Sequence, residues 1–416
     1  MKKKILLLSD DIRTTSGVGR VSKDIVLGTC DMFDWVQLSA RLSHPENGSI
    51  IDVSKSVASI TGVSNPNVKL YSNSGYGDEI TLTRLLELES PDAILHITDP
   101  RQWSWLYAME RKIRGLLPIC YYHVWDNYPI PKFNEYVYRS CDYIACISKL
   151  THDIVSSIDK TKASDMVEYI PHGVDELQFT PLNDEETNDF KRKLCNGNQY
   201  DFILLANNVN IPRKQLPCLI SSYKTFCDEL DNNVSSRCLL VLHTNPKFSG
   251  GADLRSLTKN LCPSYNIAFS DHTLDDESLN LLYNSVDVTV NIASNEGFGL
   301  STLESIMAGT PTILSETGGH IDQIYDSGGD VGKWCRPVKP RVKNLTGSQQ
   351  VPYIYSDLCH EDDVSEAIKY WHDMSREERK KRGLLGREFA VKNLCKSVMT
   401  DKISCGINKT INNFVP

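Results

Sequence analysis

The sequence predicts a mixed α/β chain made of two doubly wound, parallel-sheet domains in tandem. Short runs rich in Ile, Leu, Val or aromatic residues alternate with helical patterns along most of its length. Those runs are apolar on both faces, as strands covered by helices on each side are. At 416 residues the chain also exceeds what a single hydrophobic core usually serves.

The first series of strands begins with Ile5 to Leu8 and continues with Ala93 to Ile97, Ile119 to Tyr122 and Tyr143 to Ile147. Between Phe179 and Tyr200 the composition turns polar and acidic, which marks a junction. A second series follows at Asp201 to Ala206, Cys238 to His243, Asp287 to Ile292 and Pro311 to Leu314. The expected organisation is a first domain over 1–180, a linker over 181–199 and a second domain over 200–385. A helical segment over 386–416 is expected to pack back on the first domain. The proline-bearing stretch RPVKPRVKNLTGSQQVPYIYSD, from Arg336, reads as a surface loop or hairpin.

Composition narrows the class. Hydrophobic residues make up 40% and charged residues 24%, ordinary for a soluble globular chain and unlike disordered or collagen-like ones. The formal net charge is -8 and the chain opens on a short basic block, Lys2-Lys3-Lys4; with that acidic total a general nucleic-acid-binding surface is not indicated. Ile5 to Leu8 is too short for a signal-peptide core or a membrane span, and Ser9 ends it. Stable membrane insertion is therefore not expected, and a cytoplasmic location is. Thirteen cysteines without a CxxC pair fit reduced thiols better than a disulfide framework. Cys141 and Cys146 read as small buried hydrophobes.

Chemistry concentrates in SNEGFGLSTLESIMAGTPTI, Ser294 to Ile313, directly after the expected strand Asp287 to Ile292. Its helix starts near Leu300, with Gly309 as C-cap and Pro311 beyond. In doubly wound sheets, ligands lie past the carboxyl ends of strands, where loops feed helix N-termini. The N–H groups of Phe298, Gly299 and Leu300 would face out from a helix end whose dipole favours an anion. Glu304 sits one turn in, beside Leu303, Ile306 and Met307, at the margin of the buried face. A carboxylate there needs a partner: either a pair of sugar hydroxyls, or solvent with help from the helix dipole.

EGFGLSTLE followed by SIMAGTPTI resembles the donor-site signature of family 4 retaining glycosyltransferases. These share the GT-B fold, two Rossmann-like domains facing a central cleft. The resemblance implies that Glu296 lies beside the transferred sugar and that Glu304 holds the nucleotide ribose. It also implies that the backbone of Gly297, Phe298, Gly299 and Leu300 contacts sugar hydroxyls and phosphate. TTSGVGRVSKDI, with Gly17 and Gly19, is similar to the family's loop that meets the diphosphate or acceptor; a strand-to-helix turn that needs glycine for geometry alone reads the same way. EYIPHGVDELQFTP is similar to the stretch closing the first domain, with Gly173 and Asp175 on the hinge side or simply in a turn before the linker. ANNVNIPRKQL is similar to the segment whose basic residues, here Arg213 and Lys214, neutralise the donor diphosphate. It departs from the family at Asn207 and Asn208, where an arginine is common.

In PICYYHVWDNYPIP, His123 resembles the histidine that points toward the donor sugar, binding or polarising a hydroxyl. Taken alone it also reads as a packed strand-end residue. Asp126 is a second candidate for the acceptor proton. HITDPRQWSW offers Asp99, Arg101 and Trp103 to the acceptor side, although Trp103 and Trp105 equally read as packing.

The resemblance implies transfer of a sugar, with retention of configuration, from a UDP- or GDP-linked donor to an acceptor hydroxyl, with no cofactor besides the donor. No Asp-x-Asp occurs, so the aspartate-pair metal site of the other large glycosyltransferase fold is missing. A metal-independent reaction is implied, with leaving-group charge met by Lys214, Arg213 and helix N-termini. A glycan, a lipid-linked glycan, a protein, a small metabolite or a hydroxylated DNA base all fit as acceptor. A nucleotide-sugar-binding module without turnover, and an enzyme of other chemistry such as an epimerase, are the competing classes.

Overall fold

Ile5 to Leu8 forms the wholly buried middle of strand β1 (Lys3–Asp10). The computed structural model describes residues 2–158 and 166–416. By contacts the chain divides into two units. One comprises Met1–Gly173, Ser348–Pro352 and Lys396–Pro416; the other comprises Val174–Gly347 and Tyr353–Cys395.

In the first unit β1 is joined by β2 (Phe33–Arg41), β3 (Ile50–Asp52), β4 (Val68–Ser74), β5 (Ala93–Ile97), β6 (Ile119–His123), β7 (Tyr143–Cys146) and β8 (Val167–Tyr169). The sheet order is β3-β4-β2-β1-β5-β6-β7-β8. All pairs are parallel except the short β3 on β4. The order reverses between β1 and β5, so the loops after these strands diverge and leave a crevice at their carboxyl ends. The basic block is used internally: Lys2 donates to the Cys30 carbonyl, Lys3 pairs with Asp92 and Lys4 with Glu89.

The second unit holds β9 (Phe202–Asn207), β10 (Cys238–His243), β11 (Ile267–Ser270), β12 (Val288–Asn291), β13 (Thr312–Ser315) and β14 (Cys335–Val338), in the order β11-β10-β9-β12-β13-β14. Every pair is parallel, and the order reverses between β9 and β12. A separate antiparallel hairpin, β15 (Val342–Thr346) and β16 (Ile354–Leu358), occupies the proline-bearing stretch.

Three boundaries differ from the sequence reading. The main segment of the first unit ends at Gly173 instead of at 180. Residues 181–199, expected as a linker, lie within the second unit and form a helix, Asp184–Leu194. Its start is a capping box between Asn183 and Glu186, and its acidic first turn and basic last turn match the helix dipole. The polarity that suggested a linker is that of a surface helix. At the C-terminus the division falls after Cys395 instead of at 385: helix Arg376–Asn393 belongs to the second unit. Helix Lys396–Asn413 lies against helix Gly17–Thr29 of the first, burying Met399, Ile403 and Ile407. Among the described residues no helix is long and apolar enough to cross a membrane.

Candidate active site

In the second unit the reversal of strand order brings together two loops. The loop after β9 ends in a single 3-10 turn, Pro212–Lys214, and the loop after β12 leads into helix Leu300–Met307. The Ser294 N–H donates to the Arg213 carbonyl at 2.7 Å, which locks the loops side by side. The Glu296 carboxylate accepts from Lys214 Nζ and, at 3.4 Å, from Arg213, which also donates to the Asn295 carbonyl at 2.7 Å. Burial alone would raise the carboxyl of Glu296, but the adjacent charges of Lys214 and Arg213 outweigh it and hold it at about 2. Two cations and an anion thus meet where the sheet opens.

Gly299 is the N-cap of helix Leu300–Met307, with φ +96, a conformation that favours glycine. A Cβ there would meet Thr302 Oγ1 at 2.7 Å and the His320 ring at 3.0 Å. A glycine cap offers no side chain to the first-turn amides, which are therefore left for an external acceptor. Gln323 holds the approach from behind, donating to the carbonyls of Phe298 and Gly299 at 2.7 and 3.0 Å. Phe298 packs inward. At the far end the C-cap is Ala308, one residue earlier than the Gly309 expected there, and Gly309 follows it with φ +80.

Glu304 is only 3% exposed, which excludes the solvent-facing alternative. It accepts from Tyr283 Oη at 2.7 Å, and Tyr283 Oη accepts from Asn207 Nδ2 at 2.8 Å. Asn207, one of the two asparagines that stand where an arginine is common, thus belongs to a partly buried relay onto Glu304. Sequence reasoning missed Tyr283, His320, Thr317 and Gln323; the pair Gly318-Gly319 after β13 was the one available signal. The amide of Gly319 donates to the Glu296 carbonyl at 2.8 Å. His320 is fully buried, and burial holds its ring at about 4, so it is neutral near pH 7.

The first unit gathers its own polar residues at the ends of β1, β5 and β6. Gly17 opens helix Gly17–Thr29, and the Gly19 N–H donates to the Ser16 cap at 3.0 Å. A Cβ on Gly19 would stand 2.9 Å from the Asp11 carbonyl, so this glycine is required by close approach. Asp11, also missed from sequence, is 1% exposed and accepts from Arg13 and from His44 Nε2 at 2.9 Å. Asp99 caps the turn after β5 and is bound by the Arg101 guanidinium, on which half-buried Asp126 also acts. Thr98, just before them, has φ +135, a strained conformation for a β-branched residue.

Two expected site residues lie inside this unit instead. His123 is 0% exposed, and its ring nitrogens bond to Tyr121 Oη at 3.0 Å and Tyr138 Oη at 2.9 Å. Burial pushes it down to about 3, so it is neutral. Aromatic neighbours supplied the partners that the expected cleft-facing orientation would have left to a ligand. Trp103 is likewise fully buried, edge-on to Tyr76 at 5.6 Å.

Each of the two sheets reverses its strand order once, and charged loops lie at the carboxyl edge of that reversal, as in doubly wound domains that bind ligands there. A model of family 4 glycosyltransferases in conflict systems matches residues 160–389, more than half of the chain, and the protein belongs to that family. A glycosyltransferase of Methanocaldococcus jannaschii is 28% identical over 207 residues, 49% of this chain and 49% of the relative. D-inositol 3-phosphate glycosyltransferase of Corynebacterium jeikeium is 25% identical over 170 residues, 40% of this chain and 39% of the relative. The matched region thus spans half or less of these relatives' length. Among solved structures, Anabaena HepE in complex with UDP and glucose superposes with a TM-score of 0.69 at 13% identity, over 98% of this chain and 100% of that one. Sucrose-phosphate synthase from Thermosynechococcus elongatus gives 0.72 at 14%, over 99% and 100%. The fold is GT-B.

Proposed function

We propose that the protein is a retaining, metal-independent glycosyltransferase that moves a sugar from a nucleotide diphosphate sugar to an acceptor hydroxyl. The observation that carries this reading is the Lys214–Glu296–Arg213 cluster beside the glycine-capped start of helix Leu300–Met307. Lys214, Arg213 and the first-turn amides together offer concentrated positive charge to a diphosphate. The carboxylate of Glu296 keeps the two cations fixed and stands beside the sugar. Buried Glu304 and its Tyr283 partner are then the acceptor groups for ribose hydroxyls. Complexes of a relative of the same fold with UDP and UDP-glucose favour a uridine donor.

Retention by double displacement needs a nucleophilic carboxylate roughly 5 Å from an acid partner. Glu296 is instead committed to two cations, which favours a front-face path. The bond from the anomeric carbon to the departing phosphate oxygen breaks, and the bond to the acceptor oxygen forms on the same face. The acceptor proton passes to the phosphate oxygen, whose charge Lys214 and Arg213 stabilise. Asp99, Arg101 and Asp126 are the acceptor-side groups, and His123 supports the end of β6 from within.

The test is incubation with UDP- and GDP-sugars in EDTA, following nucleotide release and the anomeric configuration of the product by NMR. One donor is expected to turn over with retention. Binding without release would favour a non-catalytic module, and inversion or epimerised donor would refute the proposed chemistry.

A further inference from the structure

The hairpin β15–β16 lies outside the six-stranded sheet, and all of β15 is exposed. A lone two-stranded hairpin is marginal in water, so its order needs an anchor. That anchor is Asp357 in β16, an acidic side chain only 1% exposed. A buried carboxylate must be paired or hydrogen-bonded. Here Asp357 accepts from Thr317 Oγ1 at 2.7 Å and faces Lys343 at 3.7 Å.

Its backbone is engaged as well. The Asp357 N–H donates to the Ser294 carbonyl at 2.9 Å, and its carbonyl accepts from Gln215 Nε2 at 3.3 Å. Gln215 directly follows Lys214 and holds φ +50, an unfavourable backbone that persists only where its surroundings fix it. Thr317 precedes the turn Gly318–His320, whose Gly319 amide reaches the Glu296 carbonyl. One residue therefore touches all three segments that place Glu296 and Lys214.

We infer that Asp357 is a positioning residue, through which the hairpin fixes the loop 294–299 and the Lys214 turn in donor-binding geometry. The role in catalysis rests on the donor-site reading above; the pinning itself does not.

The experiment compares amide hydrogen exchange of residues 294–299 in the unliganded full chain, and donor KM and kcat, for wild type, Asp357→Ala, Asp357→Asn and Thr317→Val. Asp357→Ala is expected to speed exchange of this loop by about tenfold and to raise donor KM by about tenfold, as the loss of buried hydrogen bonds predicts. Thr317→Val, which removes the hydroxyl donor to the same carboxylate, should move both readouts the same way. Asp357→Asn keeps an acceptor for Thr317 and should stay near wild type, and Thr317→Val keeps the inference testable even if the alanine variant fails to fold. Leu345→Ser, on exposed β15, is the unchanged control. Wild-type exchange over 294–299 in Asp357→Ala and Thr317→Val would overturn the inference. Because exchange is read without ligand, absence of binding by every nucleotide sugar would refute the donor reading and leave exchange to decide the pinning.

Discussion

Lys214 Nζ donates to Glu296 Oε2 with each side chain only 10% exposed, so the pair is a nearly buried ion pair where two loops converge. Removing one partner of such a pair leaves a buried charge unmatched, at a cost of about 3–5 kcal/mol. Glu296→Gln and Lys214→Met should each lower stability in urea denaturation and cut turnover by about 100-fold or more. The double variant should lose much less stability than the sum, which a double-mutant cycle measures.

The buried titratable groups make the protein acid-labile over a defined range. The carboxyl of Glu296 is held at about 2 against an ordinary 4.5, so its contribution is complete above 4.5 and is lost as pH falls toward 2. His320 is held at about 4, and His96, His123 and His172 at about 3, against 6.5. Below 6.5 the unfolded chain takes up protons that these neutral rings refuse. Stability therefore declines as pH falls from 6.5 toward 3, and His320→Gln should flatten the upper part of that decline. Urea midpoints measured against pH check both statements.

Tyr283→Phe removes one hydroxyl that serves both Asn207 and Glu304. It should cost about 1–3 kcal/mol, because a buried acceptor loses its donor. If Glu304 holds the ribose, Tyr283→Phe should also weaken UDP binding by about tenfold. Glu304→Ala should erase any preference for UDP over its 2′,3′-dideoxy analogue. Calorimetric titration with the two nucleotides gives the answer.

Gly299→Ala places a side chain at φ +96 against Thr302 and the His320 ring. The expected penalty is about 1–3 kcal/mol, with the start of helix Leu300–Met307 displaced. Thermal unfolding and donor affinity should both fall, whereas Gly329→Ala, also at positive φ but in open space, should affect stability only.

Most of the sheet was legible because a strand buried on both faces is an apolar run. Ala93–Ile97 and Cys238–His243 match their runs end to end. β2 escaped because Gln37 lies within it; that amide is buried by bonding to the Asp10 carbonyl and the Ile12 N–H. β4 alternates buried and half-buried residues, edge strand β11 is only half-buried throughout, and β14 contains Pro337. Such strands carry little continuous apolar signal.

The site divides along the same line. Glu296, Lys214 and the helix start stand out because charge and glycine cluster locally in sequence. Tyr283, Thr317 and Asp357 reach the same loops from distant segments through single hydrogen bonds, and nothing in their local pattern reveals it. The burial of His123 depends on Tyr121 and Tyr138, whose facing hydroxyls only the folded β6 and its neighbouring helix bring together.

The most direct measurement is calorimetric titration of the full chain in EDTA with UDP-glucose and other UDP- and GDP-sugars, repeated on Lys214→Ala. Saturable binding of one donor, weakened by about 10- to 100-fold in the variant, is the predicted result for a charge-assisted diphosphate contact. If no nucleotide sugar binds, or if the bound donor is indifferent to Lys214→Ala, the cluster of Lys214, Arg213 and Glu296 is not a donor site.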